Sequence, residues 1–167
     1  MAARMAAAEN LERFQCMFTW SRGVTYDIDS DWVINAVEDK LLTSDCAWHS
    51  IVYHLVLFYQ YQLQGKDSVA RDHLLACEET ILDSQCFIPT PLIKSNLVSI
   101  EHVLYSSWLH FIAKSHDFNE YKEYTSKIFL YKAMSKKQKA GVLAIRAACL
   151  MQYGPRGNLV KQLRFDC

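Results

Sequence analysis

Residues 48–84 restrict the possible folds more than any other stretch. Ile51, Leu55, Phe58 and Leu63 recur at helical spacing, Gly65 follows, and a second apolar series runs through Ala70, Leu74, Ala76, Cys77 and Ile81. Glycine reaches the positive φ that ends a helix without steric cost. The pattern therefore predicts two helices folded back on each other at Gly65-Lys66-Asp67-Ser68, with Asp67 or Ser68 capping the second.

Residue sizes narrow the hairpin further. A tetratricopeptide repeat has a period of about 34 residues and needs small side chains where its helices cross. With Ala70 as the small residue of the second helix, Leu74 and Cys77 take its other packing positions, and His54, Leu57, Phe58 and Tyr61 take those of the first. Phe58 stands where Gly or Ala is usual.

The rest of the chain is helical by the same criteria. A segment from Glu9 to Trp20 carries Leu11, Phe14, Cys16 and Phe18, then residues 21–29 read as loop. Ser30 is placed to cap a helix over 31–42 that faces Trp32, Val33, Val37 and Leu41 inward. The prolines after Cys86 make a connector, because proline removes a donor and restricts its predecessor. Residues 92–114 carry Leu97, Ile100, Val103, Leu104, Trp108, Phe111 and Ile112 at helical spacing, and the turn at His116 starts a helix expected to run to about Met134. A third helix from Lys136 carries Leu143, Ala147, Ala148, Leu150 and Met151, and residues 159–167 begin a partner for it. The expected fold is all-α: antiparallel helix pairs forming a short tetratricopeptide-repeat superhelix. Its parts are N-terminal helices over 1–45, a first repeat over 46–85, a second over 91–134 and an incomplete third over 135–167. A repeat array that ends on an unpaired helix leaves an apolar face open, to be covered either by further repeats of a longer array or by another molecule.

Composition removes several classes of function. A hydrophobic fraction of 51% can fill a core, and no apolar run reaches the ~18 residues of a membrane span, since Ile51 to Leu63 contains His54, Gln60 and Gln62. A cytoplasmic chain with reduced thiols is expected, because its six cysteines show no Cys-x-x-Cys spacing. His49 and His54, and likewise His102, His110 and His116, lack the clustered spacing of a metal site, so no metal or cofactor is expected. No thiol has a base beside it in sequence and no Gly-rich phosphate loop is present, so neither catalytic residues nor a small-molecule substrate is assigned. The tryptophans and tyrosines at helical spacing read as core rather than as base-stacking platforms.

Charge gives the positive signal. Net charge is zero, yet residues 1–90 hold six Lys or Arg against thirteen Asp or Glu, and residues 91–167 hold twelve against five. The basic excess favours a polyanion, and Lys132, Lys136, Lys137, Lys139 and Arg146 are the candidate nucleic-acid contacts.

The run Cys16-Met17-Phe18-Thr19-Trp20 resembles the Cys-His-Phe-Thr-Trp signature of the interferon-induced proteins with tetratricopeptide repeats, with Met17 in place of His. The Gly65 hairpin, the His116-Asp117-Phe118-Asn119-Glu120 turn and the segment from Ala147 to Gly154 follow in that family's order at comparable spacing. The resemblance implies a cytoplasmic, non-enzymatic antiviral protein that captures single-stranded RNA by a triphosphate or capped 5′ end in a basic helical groove, with other repeat-family proteins as further partners. Family members are longer. The lysine they carry before the third repeat turn corresponds to about Met151 or Gln152 here, and the tyrosine after it to about Gly157. A helical-repeat scaffold that binds protein partners is the competing expectation.

Overall fold

The computed structural model describes residues 14–20, 29–86, 91–115 and 118–154. Among them the chain is all-α, built from seven α-helices packed against each other, with no strand. These are α1 (Met17–Trp20), α2 (Ser30–Leu42), α3 (Ala47–Leu63), α4 (Asp67–Cys86), α5 (Pro91–Ser115), α6 (Phe118–Lys127) and α7 (Lys136–Met151). A short 3-10 turn, Tyr131–Ala133, leads into α7.

The α3–α4 hairpin forms where expected, and its closure is chemical. Gly65 takes φ 72°, its N–H donates to the Gln62 carbonyl at 3.1 Å, and the Lys66 N–H donates to the Tyr61 carbonyl at 2.9 Å. Two carbonyls of the last turn of α3 are thereby satisfied by the reversal itself. Helix α4 begins at Asp67, so Asp67 and Ser68 lie in its first turn, one residue later than a cap would. Ala70, Leu74 and Cys77 are fully buried in the α3–α4 crossing.

Helix α3 is the centre of the molecule. It packs against α1, α2, α4, α5 and α7, and nine of its seventeen residues are buried, including Gln60 and Gln62. A helix enclosed on nearly all sides loses the one-sided pattern of a surface helix. Leu63, expected inside, is 55% exposed, because it lies in the last turn where neighbours run out. Phe58, at a position usually small, is accommodated edge-on between Phe18 (5.8 Å) and Phe111 (6.3 Å).

Other expectations need correction. The cap of α2 is Asp29, whose carboxylate accepts from the N–H groups of Asp31 (3.0 Å) and Trp32 (3.4 Å). Ser30 instead donates its hydroxyl to Gln60 at 2.7 Å, tying α2 to α3. Trp32 is half-exposed and Ile34 takes the inward place. On α7, Leu143 and Met151 face outward, and Gly141, Val142, Ile145, Cys149 and Leu150 are the buried residues. In the first segment the buried residues are Phe14, Cys16, Met17 and Trp20, with Phe18 partly buried. Leu11, the expected loop at 21–28, the connector at 87–90, the turn at 116–117 and the partner helix at 159–167 lie outside the described residues.

Helix α7 folds back onto α3 as well as α5. Gln60 donates to the buried Tyr153 hydroxyl at 2.8 Å, and the Cys149 thiol lies 4.0 Å from the Val52 carbonyl. The α5–α7 crossing is close because Gly141 has no side chain: a Cβ there would sit 2.5 Å from Ser99 Oγ and 2.9 Å from Ser99 Cβ. Alanine is the better helix former by about 1 kcal/mol, but overpacking costs about 1–3 kcal/mol, and Ser99 is held by its hydrogen bond to the Gln138 carbonyl at 2.8 Å. Gly141→Ala is therefore expected to lower stability by about 1 kcal/mol in urea denaturation.

Candidate nucleic-acid interface

The expected long helix after residue 118 stops at Lys127, and a buried histidine accounts for the stop. His102 on α5 is almost fully enclosed. Its Nε2 accepts the Gln15 N–H at 3.3 Å, so Nδ1 carries the proton and donates to the Phe129 carbonyl at 2.9 Å. Burial holds this imidazole below its usual pKa, against the opposing pull of the Phe129 carbonyl. Ile128 is buried beside Phe14 and Leu109. These long-range contacts draw residues 128–130 out of the helix and set the position of everything that follows.

The next residues carry the basic cluster. Tyr131–Ala133 makes the 3-10 turn, and Ser135 then caps α7 with a reciprocal pair of bonds. Its hydroxyl accepts the Gln138 N–H at 3.3 Å, and its own N–H donates to the Gln138 side chain at 2.8 Å. Lys132, Lys136 and Lys137 are exposed around this start. Lys139 turns back across the helix end, with its Nζ 3.4 Å from the Lys132 carbonyl and 5.7 Å from the centre of the Tyr131 ring. The structure thus gathers four of the five expected contacts. Arg146 stands apart: half-buried, it lies seven residues beyond Lys139, about 10 Å further along α7.

The placement of these charges is unfavourable for the isolated fold. A helix N-terminus carries a positive partial charge, and a cation there loses roughly 0.3–1 kcal/mol that an anion would gain. The first turn of α7 contains Lys136 and Lys137 and no acidic residue. Among the described residues, none of Lys132, Lys136, Lys137 and Lys139 has an ion-pair partner. An anion at this end would meet both the lysines and the helix dipole.

Sequence reasoning missed Tyr131 as part of this surface. The half-buried ring lies 6.1 Å from His102 and under Lys139, and its position next to Lys132 was the available signal. Several other large rings are engaged internally, whereas Trp32 and Phe129 are 51% and 47% exposed. Trp108 is buried and stacks on Tyr124 at 5.2 Å, while Lys127 is held by Glu123 at 2.7 Å and lies 4.8 Å over the Tyr124 ring.

A second polar cluster joins α2, α3 and α4. His54 and His73 face each other with Nδ1 atoms 2.9 Å apart and ring centres 5.2 Å apart, so the two nitrogens point at one another and share one proton. Tyr61 stacks on His73 at 5.4 Å and donates its hydroxyl to Glu38. Burial, reinforced by His73, pushes His54 down to about 4, and burial lowers His73 against the opposing charges of Glu38 and Asp72. Both rings bind protons more readily in the unfolded chain. Their contribution to stability is therefore complete above about 6.5 and lost as pH falls toward about 4. We expect thermal stability to fall over this window by on the order of 2 kcal/mol, discounted for partial exposure, and His54→Leu/His73→Leu to flatten the fall in scanning calorimetry.

Among the described residues no group of three or more His, Cys, Asp or Glu is arranged to hold a metal ion. Cys16, Cys77 and Cys149 are free and buried, and burial raises all three thiols, Cys16 to about 12, which keeps them protonated. Among the described residues no helix is long and apolar enough to cross a membrane. Comparison with protein-family models and with curated proteins finds no match to this chain.

Proposed function

We propose that this chain is a cytoplasmic RNA-binding protein of innate antiviral defence, a tetratricopeptide-repeat relative of the interferon-induced family, that captures single-stranded RNA by its 5′ end without catalysing a reaction. The observation that carries the reading is the lysine cluster at the start of α7, where four cations have no ion-pair partner among the described residues and stand at the electropositive end of a helix. Phosphates supply the missing charge, and a 5′-triphosphate, the densest run of phosphate on an RNA, draws most on it. Tyr131 adds a ring against which a terminal base stacks. The resemblance around Trp20 and the order of the helical turns support the same reading.

Equilibrium binding of triphosphate, monophosphate and capped single-stranded RNAs of one sequence, each at two salt concentrations, tests it. The triphosphate form is expected to bind tightest and to weaken most with salt. Failure of all three RNAs to bind at low salt overturns the reading.

A further inference from the structure

The outer faces of α4 and α7 are complementary. On α4, Asp72, Leu75, Glu79 and Leu82 are exposed at three- and four-residue spacing with the exposed Asp83 beside them, and Leu75 and Leu82 are 41% and 59% exposed. They form one seam along a helix that otherwise buries its opposite side. On α7, Lys136, Ala140, Leu143, Ala147 and Met151 follow a similar spacing, with Leu143 50% and Met151 73% exposed. Each seam places two large apolar side chains about two turns apart. One surrounds them with carboxylates, and the other carries lysines at its start and alanines that admit a close helix approach. None of Asp72, Glu79, Asp83, Lys136 and Lys137 has an ion-pair partner among the described residues.

The asymmetry extends beyond the seams. Residues 29–86 carry ten acidic and three basic side chains, and residues 118–154 carry two acidic and seven basic. We propose that the α7 face docks the α4 face of a second copy of this chain, head to tail. Charge selects this occupant over the chain's own C-terminus: residues 155–167 hold Arg156, Lys161 and Arg164 against Asp166, and would bring more positive charge to the lysines of α7. A head-to-tail contact of this kind is heterologous, and each copy keeps one face open for the next. A single helix-on-helix seam falls below the roughly 1,000 Å² of a stable interface, so the association is weak, concentration-dependent and sensitive to salt.

Sedimentation velocity of the full chain without RNA tests this over a hundredfold range of concentration at low and high salt. Wild type is expected to shift to larger species with concentration at low salt and to return toward monomer at high salt. Glu79→Lys/Asp83→Lys and Lys136→Glu/Lys137→Glu should each abolish the shift, and the two pairs combined in one chain should restore it. The first pair leaves the RNA-contacting lysines intact, so its result is independent of nucleic-acid binding. Leu143→Glu should abolish association while leaving the melting temperature of the monomer within about 2 °C. A monomer at every concentration, an association indifferent to both reversals, or a large loss of monomer stability in Leu143→Glu, which would mean that the chain covers this face itself, overturns the proposal.

Discussion

Replacing Phe58 with alanine is expected to cost about 4 kcal/mol. The side chain is fully buried at the middle of α3, the helix that touches five others. Its ring meets Phe18 of α1 and Phe111 of α5 edge-on, so truncation removes apolar area, opens a cavity and deletes two aromatic contacts together. Alanine also matches the small residue usual at this point of the repeat. If that pattern ruled here, the substitution would be mild or stabilising. Urea denaturation separates the two, and a loss below about 1 kcal/mol would show that α1 and α5 close over the gap.

The second large effect is on binding. Reversing Lys132, Lys136, Lys137 and Lys139 together to glutamate should reduce affinity for triphosphate RNA by well over tenfold at low salt. Four phosphate contacts to a single strand predict a slope of about −3 in log affinity against log salt, or roughly 50-fold between 50 and 200 mM. The variant should lose most of that slope along with the affinity. Arg146→Glu, two turns away, is expected to do much less. All four lysines are exposed or half-buried, so circular dichroism and melting temperature should stay close to wild type, and removal of like charge from the α7 N-terminus should favour the fold slightly.

Much of the architecture was legible because its punctuation is local. Gly65 ends α3 through its own positive φ, as its place after the apolar series predicts, and α7 begins at Lys136 as expected, opened by Ser135 with Gln138; Pro91, expected in the connector, instead begins α5 at the first helical position, where its missing N–H costs nothing. The places where periodicity misled are those governed by distant contacts. Trp32 points outward because Val33, Ile34 and Val37 take the inner face of α2, while its ring lies 3.3 Å from a Cβ added at Gly154. Gln62 is buried because α3 is surrounded, and Leu63 is exposed because the neighbours run out at its last turn, conditions no local pattern reports.

The same holds at the candidate interface. The lysines were visible as an excess of charge, but a continuous helix to Met134 puts Lys132 in its last turn and leaves Lys136, Lys137 and Lys139 on a separate helix. The early stop at Lys127 comes from His102, 27 residues before the Phe129 carbonyl it holds, and no sequence signal pairs the two. That stop and the 3-10 turn after it bring Lys132 against Lys139. The sequence offered the charges, and the tertiary fold made them one surface.

The account rests on RNA occupying this surface, and lysine acetylation footprinting by mass spectrometry reads that occupancy residue by residue. With triphosphate RNA bound, Lys132, Lys136, Lys137 and Lys139 should become protected, while Lys40, Lys66 and Lys94, exposed elsewhere, should react as in the free protein. Equal protection of all seven, or protection confined to the second group, would contradict it.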